Sequence, residues 1–426
     1  MVAMNFCFFL FVVLFYTSPL IGATRDLVTQ LPGFGPVKEK QYAGYFAINK
    51  SSALFYWYVE KKKPTSDPAI VLWLNGGPGA SSLYGFFMEN GPYEINSAYQ
   101  LQERRYSWTH VADYLIIDQP VGVGYSYGST ANYADESQAM DQLYRAVIYF
   151  FKEHPDLINK SLYLTGESYA GKYLPQLAIR LLKHKEIKLK GLMLGDPWIN
   201  PRLQQKANID YAYYHGLIDK QAQIKLKSLY KQCINEIDKH SPTSSKANQI
   251  CEQMQSYIKK ESGGLNLANI YTGEEPDDTK MVNYLNNKLV RKALHVPSQA
   301  PAFTTFSDAA AKKLEVGEQD SVAYLYPRLL TSGIRILIYN GLEDGKDSNF
   351  LSTELLISAL DWPNKNDFAE AITCVWKNNN QVSGYAKTAH GLTQVKIRGA
   401  GHLAPIDQPE RVLHILQNFI KNEPLC

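Results

Sequence analysis

Apolar runs of strand length alternate with amphipathic helical patterns along the first half of this chain. Between two of the runs, 137–152 has the pattern of a helix that places Leu143, Val147 and Phe151 on one face. The apolar runs occupy 69–74, 114–117, 162–164 and 191–195. Strands that alternate with helices predict an α/β fold, in which helices cover both faces of a largely parallel sheet.

The alternation stops in the segment 200–332, which carries polar helical patterns. We interpret this segment as an inserted, mainly helical cap. Strand patterning returns at 334–339, and the chain closes on an amphipathic helix at 410–421. We therefore predict a core made of 24–199 and 333–426, interrupted by the cap.

The first residues differ from the rest of the chain. An apolar run at 6–16 is followed by the small residues Gly22 and Ala23 and then by a polar stretch. This pattern predicts a signal peptide, 1–23, that is cleaved after Ala23. A membrane anchor is the competing interpretation, but the run is short of the about 20 apolar residues that span a bilayer. No later segment is apolar enough to cross a membrane, so we expect no stable membrane association.

Cysteine and sequon positions agree with export. Four cysteines remain after the signal peptide, an even number that permits three pairings, of which the pair closest in sequence is the more local choice. They are Cys233, Cys251, Cys374 and Cys426. Glycosylation sequons begin at Asn49 and Asn159. We predict entry into the secretory pathway, and the sequence leaves open whether the protein is secreted or held in a lysosome or vacuole.

Charge and cysteine spacing argue against several classes of function. The formal net charge is only +3 over 426 residues, with no dense Lys/Arg stripe, so a nucleic-acid partner is not expected. The cysteine spacing fits no zinc or redox motif. We predict no metal site and no cofactor.

The most informative segment is 166–171, which reads Gly-Glu-Ser-Tyr-Ala-Gly between an apolar run and a helical pattern at 172–182. It is of the Gly-x-Ser-x-Gly type, with the second glycine one position later. A strand that turns directly into a helix is cramped, and glycines on both sides of the serine relieve the crowding and present its hydroxyl. We predict that Ser168 is the nucleophile of a serine hydrolase.

A serine nucleophile needs a base to accept its proton. Among the nine histidines, His402 lies in a glycine-rich loop between the strand pattern 393–397 and the last helix. An α/β-hydrolase places its base at this point of the chain. We therefore predict that His402 is the base.

The base in turn needs a carboxylate that orients its ring. Asp118 precedes the serine and Asp196 opens the inserted segment, so neither suits the expected order. Asp344 follows the strand pattern 334–339 and gives the order serine, aspartate, histidine. Spacing favours Asp344, and its neighbours Glu343 and Asp347 remain alternatives.

Acyl transfer also needs two backbone N–H donors directed at the oxyanion of the tetrahedral intermediate. We expect one donor from Tyr169, directly after the serine. The other is expected from the loop after 69–74, which contains Gly76 and Gly77. A purely structural turn is the alternative interpretation of this loop, and its position at the end of a strand favours the functional one.

Four sequence blocks together resemble one family, the serine carboxypeptidases. They read Trp-Leu-Asn-Gly-Gly-Pro-Gly-Ala-Ser-Ser at 73–82, Pro-Val-Gly-Val-Gly-Tyr-Ser-Tyr at 120–127, Gly-Glu-Ser-Tyr-Ala-Gly at 166–171 and Gly-Ala-Gly-His at 399–402. The resemblance covers nearly all of the chain after the signal peptide. It implies an α/β-hydrolase fold, a triad of Ser168, Asp344 and His402, and oxyanion donors at Gly77 and Tyr169.

The resemblance also implies how a free peptide C-terminus is recognised. In the family an Asn and two Glu residues, matching Asn75, Glu89 and Glu167, hold the terminal carboxylate, with the Gly76 backbone and Trp73 nearby. Two carboxyl groups in contact cannot both ionise cheaply, so one retains a proton at mildly acidic pH and can donate a hydrogen bond. We therefore expect a carboxypeptidase that acts on peptide or protein C-termini and favours acidic pH.

The chain departs from the family pattern at several positions. Ala80 stands where many relatives carry a cysteine, so one family disulfide is not expected. Leu342 replaces a commonly acidic residue, 345–348 replaces an apolar run, and Leu403-Ala404 replaces Met-Val. These changes leave the side-chain specificity open.

Two further functions share features with the expected one. Some relatives act as acyltransferases on the same scaffold, and some mainly stabilise partner glycosidases. Retention of Asn75, Glu89 and Glu167 favours the peptidase, and the intact triad argues against a purely structural protein. The sequence leaves open whether the chain forms a homodimer.

Overall fold

The computed structural model describes residues 26–64, 67–240 and 245–426, so the predicted signal peptide lies outside the described residues. Its strands are β1 Gln30–Leu31, β2 Gly35–Pro36, β3 Gln41–Asn49, β4 Ser52–Val59, β5 Ala69–Leu74, β6 Tyr93–Ile95, β7 Leu101–Glu103, β8 Asp113–Ile117, β9 Ser161–Glu167, β10 Leu189–Gly195, β11 Arg335–Gly341, β12 Cys374–Asn378, β13 Gln381–Ala389 and β14 Leu392–Ile397. Ten of them form one sheet in the order β12-β13-β14-β11-β10-β9-β5-β8-β4-β3.

Thirteen α-helices lie in the described residues. They are α1 Glu136–Glu153, α2 Ala170–Leu181, α3 Pro201–Tyr214, α4 Lys220–His240, α5 Ser245–Glu261, α6 Thr279–Asn286, α7 Lys288–Ala293, α8 Asp308–Leu314, α9 Leu325–Thr331, α10 Phe350–Ala359, α11 Lys365–Glu370, α12 Ala404–Asp407 and α13 Pro409–Lys421. Single helical turns lie at Gly85–Glu89, Trp108–His110, Thr130–Asn132, Pro155–Leu157 and Glu315–Gly317. Every helix within these ranges is too short or too polar to span a bilayer.

The middle of the sheet is parallel, as the sequence predicts. β8, β5, β9, β10, β11 and β14 run in one direction. Antiparallel strands close both edges, with β3 and β4 at one end and β13 and β12 at the other. These edge strands were not predicted from the sequence, and they make the sheet mixed and larger than expected.

The strand β5 shows why the central runs are continuously apolar. Ile70, Leu72 and Leu74 belong to the core cluster beneath α1, α2 and α9. Val71 and Trp73 belong to the cluster on the opposite face, which includes residues of α13. Because neighbouring side chains of a strand point to opposite faces, a sheet covered on both sides buries every residue of such a strand.

The segment 200–332 supplies helices α3 to α9. α3, α4 and α5 enclose an apolar cluster of their own, whereas α9 packs against α2 and β11. The cluster includes Ile209, Leu226, Met254 and Ile258. The predicted role of this segment as a cap, with limits at 200 and 332, stays a prediction.

Two disulfides occur in the described residues. Cys233–Cys251 joins α4 to α5 and is the more local pairing anticipated from sequence. Cys374–Cys426 joins β12 to the last residue of the chain. One bridge therefore ties the helical segment together, and the other ties an edge strand to the residues after α13.

Candidate active site

Four neighbouring parallel strands, β9, β10, β11 and β14, end at the same edge of the sheet. Ser168 directly follows β9, Asp344 follows β11, and His402 follows β14. The Ser168 N–H bonds to the carbonyl of Gly195 at the end of β10, 2.9 Å away. Because the carboxyl ends of parallel strands meet at one edge, residues far apart in sequence are placed together there.

The turn that carries Ser168 is tightly packed. Ser168 has a φ of 56°, a conformation that residues with a side chain rarely adopt. A Cβ at Gly166 would lie 2.3 Å from the Leu74 carbonyl oxygen, and one at Gly171 would lie 2.6 Å from the Pro197 side chain. Only glycine fits at both positions, which is the local reason for the 166–171 pattern. Ser168 itself is half-buried.

His402 and Asp344 form a buried hydrogen bond. The Nδ1 atom of His402 lies 3.0 Å from Oδ2 of Asp344, and the other carboxylate oxygen accepts a bond from the Lys346 N–H at 2.8 Å. Burial lowers the pKa of His402, and the Asp344 charge opposes that shift. With Nδ1 occupied, Nε2 is the ring nitrogen available to Ser168.

Within the described residues, Ser168 Oγ makes no hydrogen bond to the His402 ring. Catalytic hydrogen bonds are commonly long in unliganded enzymes and shorten when substrate binds. Of the three candidate acids, Asp344 is the one whose carboxylate the structure brings within hydrogen-bonding distance of His402.

The two predicted oxyanion donors lie on neighbouring backbone segments. A Cβ at Gly76 would lie 2.5 Å from the backbone nitrogen of Tyr169 and 2.9 Å from Cβ of Ser168. Gly77 has a φ of 108°, which favours glycine. The loop after β5 therefore packs directly against the nucleophile turn, and a side chain at Gly76 would separate them.

Asn75 connects the predicted carboxylate-binding residues. Its Nδ2 atom donates to Oε1 of Glu89 at 2.8 Å and to Oε1 of Glu167 at 3.1 Å. Its Oδ1 atom accepts from Trp73 Nε1 at 2.8 Å and from the Gly85 N–H at 2.9 Å. All four hydrogen-bonding positions of this amide are used, so its orientation is set by the protein.

Glu89 and Glu167 form a buried pair of acids. Burial raises the pKa of Glu89 to about 7. Burial raises the pKa of Glu167 well above its ordinary value, and the contact with Glu89 raises it further. If Glu89 and Glu167 were both ionised, the Oε2 atom of each would have no hydrogen-bond donor among the described residues. One proton held between the two acids satisfies both oxygens.

The helical turn Gly85–Glu89 positions one member of this pair. The Asn90 N–H bonds to the Gly85 carbonyl, five residues back, at 3.0 Å, which is the spacing of a π-helical turn. A Cβ at Gly85 would lie 2.0 Å from Trp73 Nε1. Glycine therefore allows this turn to approach the amide of Asn75 closely and places Glu89 beside it.

Asp118 has a positioning role that the sequence analysis missed. One of its carboxylate oxygens accepts bonds from Ser81 Oγ at 2.7 Å and from the Ser82 N–H at 2.9 Å. The other accepts from the Tyr125 N–H at 3.0 Å. Asp118 thus ties the loop after β5 to the 120–127 block, and its place at the end of β8 was the one available signal.

Comparisons with known proteins agree with this arrangement. A family model described as serine carboxypeptidase matches residues 32–422. The chain is 34% identical over 422 residues to the probable serine carboxypeptidase CPVL of Homo sapiens. This match covers 94% of our chain and 86% of that protein. It is also 34% identical over 399 residues to the venom serine carboxypeptidase of Apis mellifera, in a match that covers 90% of our chain and 84% of that protein.

A solved structure gives the same result for the fold. The crystal structure of KEX1(delta)p, a prohormone-processing carboxypeptidase from Saccharomyces cerevisiae, matches with a TM-score of 0.79 at 25% identity. The match covers 90% of this chain and 91% of that one, which confirms the predicted α/β-hydrolase fold. Taken with the family match over residues 32–422, these results show that the chain is an enzyme that belongs to the serine carboxypeptidase family.

Proposed function

We propose that this enzyme releases C-terminal residues from peptides through an acyl-enzyme formed on Ser168. The observation that carries the proposal is the hydrogen-bonded group of Asn75, Glu89 and Glu167 at the end of the strand that bears Ser168. The two acids, whose pKa values are raised and which the Asn75 amide holds in place, can offer a neutral hydrogen-bond donor at acidic pH. Such a group suits a carboxylate ligand, because a peptide C-terminus would be repelled by ionised acids.

The chemical steps follow from the positions of three side chains. His402 Nε2 accepts the proton of Ser168 as Oγ attacks the scissile carbonyl carbon, and Asp344 holds the ring by Nδ1 and stabilises the imidazolium. The N–H groups of Gly77 and Tyr169 stabilise the oxyanion. His402 then protonates the leaving amine, and a water molecule hydrolyses the acyl-enzyme with His402 as base again.

Recognition of the terminal carboxylate sets the working pH. At acidic pH both Glu89 and Glu167 are protonated. One proton joins the pair, and the other donates to the substrate carboxylate together with the Gly76 N–H, while Asn75 keeps the two acids in place. Trp73 is fully buried and acts only by orienting Asn75. The proton is retained below the Glu89 pKa of about 7, and His402 stays neutral above its lowered pKa. Activity is therefore expected in a mildly acidic window between these two values.

A cleft of about 640 Å³ is lined by residues that include Lys346, two positions after Asp344, and Leu403, directly after His402. We propose that the substrate enters through this cleft. We further propose that the protein works in the secretory pathway, as a secreted or lysosomal enzyme. The two disulfides and the exposed sequon residues Asn49 and Asn159 support this destination.

The test compares an N-blocked dipeptide with its C-terminal amide at about pH 5. We expect kcat/KM to be about 100-fold higher for the acid, because the amide loses charge-assisted hydrogen bonds worth about 3 kcal/mol. Equal rates on the two substrates would overturn carboxylate recognition. In the matched variant Asn75→Ala, the preference for the acid should largely disappear, since the two glutamates lose the amide that holds them.

A further inference from the structure

Asp196 is a buried acid that the mechanism above does not use. It follows β10 directly, is 0% exposed and has a φ of 40°. Its N–H bonds to the carbonyl of Tyr339 on β11 at 2.8 Å. A residue with a side chain in this left-handed conformation costs free energy, so the surrounding structure must hold it there.

The carboxyl group of Asp196 is aimed at the candidate triad. Its Oδ1 atom accepts from Asn340 Nδ2 and from the Gly341 N–H, both at 3.2 Å. One polar side-chain atom from each of Asp196, Asp344 and His402 lies within 4.8 Å of the other two. An oxygen of the Asp196 carboxyl group therefore lies within 4.8 Å of an oxygen of the Asp344 carboxyl group.

Two buried carboxyl groups this close together cannot both ionise cheaply, so one of them retains a proton. Both oxygens of Asp344 already accept hydrogen bonds, from the Lys346 N–H and from His402 Nδ1, and the mechanism needs Asp344 ionised. Burial raises the pKa of Asp196 well above its ordinary value, and the Asp344 charge raises it further. The proton therefore belongs on Asp196.

Other titratable groups near Asp196 either raise its pKa further or stay uncharged. Glu167 adds a further negative charge when it is ionised. Tyr211 and Tyr339 keep their protons, because burial raises their pKa values. The positive charge of Lys346 lowers the pKa values of Glu167 and His402, although burial outweighs it at Glu167.

We propose that Asp196 is a positioning residue for catalysis, which stays protonated and donates a hydrogen bond to the Asp344 carboxylate. Because Asp196 is neutral, His402 faces one negative charge rather than two. A second negative charge would favour the imidazolium form, which cannot accept the proton of Ser168. This inference rests on the proposed roles of Ser168, His402 and Asp344.

The first test measures how fast a fluorophosphonate labels Ser168 at about pH 5. Ser168 Oγ bonds to phosphorus, fluoride leaves, and His402 takes the proton, so the reaction needs no terminal carboxylate. In Asp196→Ala we expect labelling to slow about 10- to 100-fold, because the Asp344 carboxylate loses a hydrogen bond that orients it. In Asp196→Asn the amide can still donate to Asp344, so labelling should be at least about 10-fold faster than in Asp196→Ala.

The second test reports the proton of Asp196 directly. An acid whose pKa is raised on folding loses stability as pH rises from its unfolded pKa to its folded one. Asp196→Asn has no such group, so its melting temperature relative to the parent protein should increase between about pH 4 and pH 8. Asp141→Asn, whose side chain is 66% exposed, should show a difference that does not change with pH.

The outcomes separate this inference from the proposed function. If the parent protein is not labelled, or is labelled at a residue other than Ser168, the proposed function fails. If the parent is labelled at Ser168 and Asp196→Ala reacts equally fast, only the role of Asp196 is overturned. A melting difference for Asp196→Asn that is the same at every pH would also overturn it, and this measurement does not depend on the alanine variant folding.

Discussion

The amide nitrogen of Asn75 lies 3.1 Å from Oε1 of Glu167, and Glu167 is the residue directly before Ser168. The proposed carboxylate-binding group therefore includes the last residue of the strand that leads into the predicted nucleophile. Asn75 in turn precedes Gly76, which packs against the backbone of Tyr169. Under the proposed function, a substrate bound by its terminal carboxylate would be held at a set distance from Ser168, so that the last peptide bond is the one attacked.

Replacing Asp344 should distinguish the triad acid from its neighbour. We expect Asp344→Asn to lower kcat about 10⁴-fold, because the amide favours the wrong tautomer of His402. Glu343→Gln is the matched control, since the Glu343 backbone bonds to Ala400 and its side chain is partly exposed. Steady-state kinetics on a blocked dipeptide checks both variants. A larger loss in Glu343→Gln than in Asp344→Asn would reverse the assignment.

Removing the ionisable pair should abolish the alkaline rise in KM. In the parent protein, KM should increase about 10-fold for each pH unit above the Glu89 pKa of about 7, because only the protonated pair binds a carboxylate. The double variant Glu89→Gln/Glu167→Gln cannot lose this proton, so its KM should stay nearly constant from about pH 5 to pH 8. A KM that rises equally steeply in both proteins would show that another group controls binding.

Asp118 should contribute to stability because it ties two loops together. Asp118→Asn directs an NH₂ group at one of its hydrogen-bond donors, and we expect a loss of about 1–3 kcal/mol in the free energy of unfolding at pH 7. The labelling rate of Ser168 should fall as well, since the loop carries Gly77. Denaturant unfolding of Asp141→Asn provides the control, with an expected loss below about 1 kcal/mol for this exposed ion pair.

The disulfides should stabilise the protein to different extents. Their sequence separations are 18 residues for Cys233–Cys251 and 52 for Cys374–Cys426. Loop-closure entropy then predicts losses of about 3 and about 4 kcal/mol when each pair is replaced by serine. Thermal unfolding of the two double variants checks the order. A Cys374→Ser/Cys426→Ser protein as stable as the parent would mean that the bridge adds nothing to the folded state.

Local pattern was sufficient for the elements that build the centre of the sheet. The apolar run 69–74 coincides with β5, and the stretch 137–152 lies within α1. The hairpin β3–β4 and the strands β12 and β13 were missed. β3 contains a polar end and aromatic residues, and β12 and β13 alternate exposed and buried positions irregularly, so their pairing depends on neighbouring strands rather than on their own pattern.

The sequence by itself determined the nucleophile turn, the order of the candidate triad and the parallel strands that carry them, because these depend on glycines, spacing and short apolar runs. The resemblance to a family then singled out Glu89, which nothing local distinguishes from a surface acid. Only the tertiary structure decided that Glu89 and Glu167 are buried in contact, that Asp118 joins two loops and that Asp196 faces Asp344. Each of these depends on burial and on distances between residues far apart in the chain, and a carboxyl group acquires its unusual proton affinity only when folding removes its water and brings a second carboxyl group to it.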